Sequence, residues 1–276
     1  MRNTIALKAV SGSKRGVWGR MVSVVLVLLA ALAFGYAADA QDTSGARANE
    51  LPFKKALMRI ELNSTAGDAG LQFDLDADPW RLLEIEDPKG LTIFSVSSVG
   101  KLRTLGNTEL FTESNEPPFD ELPLKELLKM FPKGKYEFSG ITIDGEELQG
   151  VATFTHKIPC GPEILSPVGD ELLDPDLDVV IEWEPVTHKI DTASNMGDCS
   201  SSTDIKIIAY EVIVELDGSD PVKSFDIFLP ADVTHVTVPA EFFVPDAVAM
   251  YIFEVLAIEA GGNQTITEGD FRTMPN

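Results

Sequence analysis

Positive charge is what this sequence has least of. Among 276 residues, 22 Lys and Arg stand against 44 Asp and Glu, a formal charge of −22. Five of those bases (Arg2, Lys8, Lys14, Arg15, Arg20) and one acid, Asp39, fall in the first 40 residues, so the remainder holds 17 bases and 43 acids, a net of −26. Affinity for nucleic acid comes largely from Lys and Arg displacing condensed counterions. No basic cluster follows Arg20, so nucleic acid is excluded as a partner. Anionic membrane surfaces are disfavoured for the same reason once the leader is gone.

Histidine and cysteine are nearly as scarce. His156, His188 and His235 are far apart, and none shares a helix with a second ligand, so paired-histidine zinc chemistry is unsupported. There is no Gly-x-Ser-x-Gly elbow, no His-Glu-x-x-His helix and no phosphate-cradling glycine loop. The expectation is a protein that is not an enzyme, with no catalytic residues, no cofactor and no metal. Two acidic runs come nearest to a calcium loop. In Asp74-Leu75-Asp76-Ala77-Asp78 the sixth position is Pro79 and the twelfth Ile85, where the loop needs Gly and a bidentate Glu; Asp174-Pro175-Asp176-Leu177-Asp178 fails similarly at Val179 and Pro185. Acids from separate loops could still meet around a divalent cation, because a sequence does not show convergence in space. Asn63-Ser64-Thr65 and Asn263-Gln264-Thr265 match the glycosylation sequon, a match that chance readily supplies.

What is present begins with a leader. A basic stretch through Arg20 precedes an apolar run from Val22 to Phe34, and Ala38-Asp39-Ala40 offers a small-residue cleavage site before Gln41. Residues 1–40 therefore read as a signal peptide and the chain as exported: secreted, periplasmic or at the cell surface. The alternative is an uncleaved anchor, but Gly35 and Tyr36 interrupt the run and a spanning helix wants about 20 apolar residues. Cys160 and Cys199 are the two cysteines, and in an oxidising compartment their default state is a disulfide.

Residues 41–50 are polar and aperiodic, as expected of a flexible start. The strongest Pro/Gly punctuation, Lys157 to Pro162, divides the rest into two domains, 51–158 and 159–276. In the first, Met58 to Leu62 and Leu71 to Asp76 alternate apolar with polar, the period of a strand with one buried face. Further strands are expected at 82–85, 91–96, 109–112, 136–143 and 148–156, the last two joined through Asp144-Gly145, a hairpin turn. Leu124, Leu127, Leu128 and Phe131 recur at helical spacing behind Pro123, predicting one short helix stopped by Pro132. The pattern suits an immunoglobulin-like sandwich, with a jelly roll fitting nearly as well.

The second half carries more specific signals. Val179-Val180-Ile181-Glu182-Trp183, Ile208 to Val214, and Tyr251-Ile252-Phe253-Glu254-Val255-Leu256-Ala257 followed by Gly261-Gly262-Asn263 are three strand segments with aromatic anchors. Over Pro162 to Thr273 the chain resembles a fibronectin type III domain, in which these would be the second, third and sixth strands. The resemblance implies that Trp183 fills the core between two sheets and that the buried Tyr251 sends its hydroxyl to a backbone partner. Two features depart from the family: Phe243-Val244-Pro245 leads Tyr251 by six residues rather than four, and the stretch Thr187 to Asp204 is long. No Arg-Gly-Asp occurs. The resemblance also places Cys160 and Cys199 at one end of the sandwich, within bonding reach.

With Tyr251, Phe253, Val255 and Ala257 inward, Ile252, Leu256 and Ile258 point outward beside Ile213 of the neighbouring strand, where a solvated strand would carry polar groups. These four form a candidate apolar interface, covered either by another part of the chain or by a partner. Altogether the chain reads as an all-β, exported, non-enzymatic binding or adhesion protein of two β-sandwiches that contacts a protein or glycan. A secreted hydrolase or hydrolase accessory module, with catalysis in the first domain, is the alternative.

Overall fold

The computed structural model describes residues 50–274 except Asp170 and Asp246. The leader, its cleavage site and the polar start before Glu50 lie outside the described residues. In the first half, β1 (Glu50–Pro52) leads into β2 (Lys55–Asn63), whose alternation buries Met58, Ile60 and Leu62 on one side. β3 (Asp68–Glu86) follows, 19 residues long. The two apolar runs around Leu71 and Leu82 read as separate strands because Pro79 stands between them, but the chain continues through. Proline lacks the N–H a ladder needs, and Pro79 sits where β3 breaks register with its neighbour, so no donor is missed there.

Four strands share this long one. Residues 68–76 pair with β2 and residues 72–80 with β5 (Asn107–Glu113), while the far end pairs with β4 (Thr92–Ser97) and β6 (Gly134–Thr142). The helix α1 (Gly100–Leu105) connects β4 to β5; it buries no side chain, so it leaves no apolar period by which to foresee it. The foreseen helix is α2 (Leu124–Met130), with Pro123 as its N-cap residue and Leu124, Leu127 and Leu128 buried. β6 and β7 (Glu147–Phe154) form the expected hairpin, in which Gly145 at φ 88° takes the left-handed position of the turn.

The second half has β8 (Ile164–Ser166), β9 (Glu171–Leu173), β10 (Val179–Trp183), β11 (Ile207–Leu216), β12 (Ser224–Pro230), β13 (His235–Val238), β14 (Ala249–Glu259) and β15 (Gln264–Thr273). A three-stranded sheet, β13-β10-β8, faces β12-β11-β14-β15. Trp183 and Tyr210 meet between them with ring centroids 5.3 Å apart, and both are fully buried. The Tyr251 hydroxyl accepts the Val244 N–H at 2.8 Å, so the wider spacing before Tyr251 rebuilds the corner without losing its hydrogen bond.

β15 also pairs in parallel with β2 through Gln264↔Glu61, Thr265↔Leu62 and Ile266↔Asn63, which joins both halves into one twelve-stranded sheet. Because Thr265 stands opposite Leu62 on one side and Ala257 on the other, the buried rows of both halves lie on the same face. Two core clusters result, one around Leu62, Phe73, Tyr136 and Phe138, the other around Trp183, Tyr210, Phe253 and Phe271, with Val186 packed against both.

Cys160 and Cys199 form a disulfide with Cα atoms 5.5 Å apart. It clips the long loop to the segment between the two halves, and the loop in turn packs on the first half: Ile190 is buried there, and the Leu124 N–H donates to Asn195 O at 3.0 Å. Replacing both cysteines by serine is expected to cost about 2–4 kcal/mol, the usual worth of a disulfide closing a loop of this size. Urea unfolding of the variant checks this; an unchanged midpoint would mean that Ile190 and the loop's backbone bonds order it unaided.

Candidate functional site: a carboxylate-lined sheet face

The opposite face of the large sheet is built by the alternate residues that the cores reject. On β2 these are Arg59, Glu61 and Asn63. Registered beside Glu61 are Gln264 of β15 and Gly70 of β3; beside Arg59 lies Gln72, and beside Gln72 lies Glu113 of β5. Gly70 matters because a Cβ there would stand 2.7 Å from Glu116 Cγ, so the missing side chain is the room Glu116 occupies. Across β15 and β14 the same face continues through the opposed pair Glu268 and Glu254 to Ile213 and then Asp226.

Hydrogen bonds organise the acids. Arg59 Nε donates to Gln72 Oε1 at 2.6 Å, and Gln72 Nε2 donates to Glu113 Oε1 at 2.9 Å. Gln264 Nε2 donates to Glu61, and Asn63 Nδ2 donates to Glu268. One oxygen from each of Glu61, Glu113 and Glu116 lies within 4.8 Å of the other two.

Burial raises these carboxyls first, and mutual repulsion adds to it. Glu116 is pushed up to about 8 by burial, then by Glu113 and Glu61. Glu254 is pushed up to about 8 by burial, then by Glu268 and Glu61. Glu61 is raised by burial, although Gln264 and the Arg59 guanidinium pull it back. Glu211 is raised by burial and by Asp226, to which it is hydrogen-bonded. Glu215 and Glu113 add smaller pushes to Glu254.

The four residues of the candidate apolar interface lie on this face. Ile213 on β11 and Ile252 on β14 are half-buried, whereas Leu256 and Ile258 are 3% exposed. Leu256 stands between Glu211 and Ile266, and Ile258 between Ala209 and Gln264, so the stripe is interleaved with the polar set. The long loop after β10 packs against the first half's core, on the other face.

The remaining sequence candidates have local partners. Asp74 pairs with Lys55, and Asp78 with Lys54 at 2.8 Å. Asp178 accepts the Ala240 N–H at 3.0 Å. His156 Nε2 lies 2.9 Å from Phe131 O with its ring edge-on to Phe154, and burial lowers its pKa. The sequon residue Asn263 is 1% exposed, which leaves its amide inaccessible to glycosylation in the folded chain. Glu61, Glu113, Glu116 and Gln264 were not singled out by sequence. Alternation marks Glu61 as facing away from the core, but its partners come from β5, the loop after it and β15, up to 203 residues away.

Two surface clefts are lined by residues other than the acids at about 8. A cleft of 170 Å³ is lined by Ser166, Glu171, Asp174 and Asp178, among others, and one of 410 Å³ by Arg81, Arg103, Thr104, Ile143 and Asp144. No described helix is long and apolar enough to cross a membrane.

No protein-family model and no curated protein sequence matches the chain. Among solved structures it is similar to fibronectin(III)-like modules of Clostridium thermocellum CbhA, with TM-score 0.30 and 11% identity over 81% of this chain and 93% of that one. It is also similar to the FN1-FN3 domains of chicken CNTN1, with TM-score 0.30 and 8% identity over 82% of this chain and 65% of that one. A two fibronectin type III domain segment from chicken tenascin gives TM-score 0.27 and 9% identity over 79% and 97%. These neighbours are fibronectin type III modules, and the all-β sandwich architecture is read from the strand order described above.

Proposed function

We propose that this protein is an exported, non-enzymatic binding module that holds a protein or glycan partner on the carboxylate-lined sheet face shared by its two halves. The observation that carries this reading is the continuity of that face: β11, β14, β15, β2 and β3 form a single surface in which half-buried Ile213 and Ile252 flank a row of carboxylates. A binding surface of this kind draws its affinity from a few apolar anchors within a polar rim. The disulfide and the leader support an oxidising destination.

The test is capture with the chain from Gln41 onward against its Ile213→Lys/Ile252→Lys variant, both checked for unchanged circular dichroism. These two positions are half-buried, so the variant changes the surface with little strain on the core. A partner retained by the parent chain and lost by the variant supports the reading. A partner retained equally by both, or no retained partner, overturns it.

A further inference from the structure

Glu61, Glu113 and Glu116 come from β2, β5 and the loop after β5, and hold one oxygen each within 4.8 Å of the others. Two oxygens bound to one calcium ion at about 2.4 Å are at most about 4.8 Å apart, so this spacing is what a single ion permits. Three carboxylates gathered so closely repel one another, and the Arg59 guanidinium, whose Nε donates to Gln72, offsets this in part at Glu61. A second observation points to a ligand. Gln264 is 2% exposed, its Nε2 donates to Glu61, and the Oε1 of the same amide has no hydrogen-bond partner. A buried amide oxygen without a donor costs about 1–3 kcal/mol, and an amide oxygen beside carboxylates is a usual member of a calcium shell.

We propose that Glu61, Glu113, Glu116 and Gln264 form a calcium site that ties β2, β15 and the segment after β5 together. The chemistry is that of a hard dication with oxygen ligands, and the remaining positions of its shell are filled by water. Glu61 and Gln264 supply the rigid side of the site, since they face each other at the parallel junction of the two halves. Glu113 and Glu116 supply the accessible side, through which the ion enters; Glu113 is exposed and Glu116 half-buried. The proposal does not depend on what the sheet face contacts, so it stands or falls separately from the binding reading.

Calorimetric titration of chelator-treated protein with calcium chloride, at about 0.15 M salt to screen diffuse charge, tests it. One calcium should bind per chain with Kd of about 10⁻⁴ to 10⁻³ M, the range of extracellular modules. Glu113→Gln/Glu116→Gln should weaken this at least about tenfold, as loss of charged ligands does. Glu147→Gln/Glu163→Gln, which removes two exposed acids elsewhere, should leave it unchanged. Gln264→Met, which keeps the charge and nearly the volume, should weaken binding without altering the circular dichroism. The proposal is overturned by absence of stoichiometric binding at millimolar calcium, by equal weakening in both double variants, or by a wild-type affinity in Gln264→Met.

Discussion

Asn263→Ala is expected to destabilise the fold by about 4–5 kcal/mol, the upper end for one substitution. Asn263 Oδ1 accepts the Ile60 N–H at 3.0 Å, and its Nδ2 donates to Thr155 O at 3.1 Å, Thr155 Oγ1 at 3.0 Å and Lys157 O at 2.9 Å. One buried amide thus joins the turn before β15, strand β2 and the segment leaving β7. The parallel pairing of β15 with β2 spans three residue pairs, so the bond to Ile60 extends a short junction. Alanine would leave the Ile60 N–H and the Lys157 carbonyl without partners, and each buried orphan costs about 1–3 kcal/mol. Asn263→Asp should be as damaging, because it retains the acceptor but turns a carboxylate toward two carbonyls. Equilibrium urea unfolding measures both; a loss below about 1 kcal/mol would show that water or a small backbone shift replaces the amide.

Stability should fall as pH rises from about 5 to 9, with the melting temperature dropping by about 10 °C. The sign follows from the direction of the shifts. Glu116 and Glu254 have folded values of about 8 against an ordinary 4.5, and Glu211 is raised by burial and by Asp226. Between the two values the folded chain holds protons that the unfolded chain has released. Its advantage is complete below about pH 4.5 and is lost as pH passes through about 8. Each fully expressed shift would be worth about 4–5 kcal/mol; discounted about twofold for solvent near half-buried groups, Glu116 and Glu254 contribute about 2 kcal/mol each. The carboxyls shifted downward, Glu126 by Lys129 and Asp204 by Lys157, are on the surface and oppose this trend weakly. Thermal melts in chelator-containing buffers check the slope. Glu254→Gln should flatten it and raise the melting temperature at pH 9. A melting temperature that rises with pH would refute the assignment of protons to this face.

The elements that sequence reading found are those whose signal is local. The alternation of Met58, Ile60 and Leu62, the helical spacing of Leu124, Leu127 and Leu128, the Asp144-Gly145 turn and the Tyr251 to Ala257 strand each encode their own burial pattern within a few residues. The two cysteines, read with an N-terminus expected to direct export, pointed to a bridge, and the bridge is present. Helix α1 escaped because it buries nothing, and β3 was read as two strands because Pro79 interrupts the pattern without interrupting the chain.

The candidate site was partly legible. Alternation put Ile213, Ile252, Leu256 and Ile258 on the side away from the core, and the structure sets them together on one face. That Leu256 and Ile258 are buried while Ile213 and Ile252 are half-buried depends on neighbours from other strands, Ile266 and Gln264 of β15 among them, which no spacing in β14 reports.

The sequence by itself determined the sign and size of the charge, the all-β character, the resemblance of the second half and which side of an alternating strand faces the core, because each is a property of composition or of a short local pattern. Tertiary structure alone decided that the halves share one sheet, that Asn263 is a buried fastening, and that Glu61, Glu113, Glu116 and Gln264 meet. These depend on a parallel pairing between residues about 200 positions apart. Such a pairing is chosen by the sum of many contacts across the whole chain, and no short stretch of it carries that information.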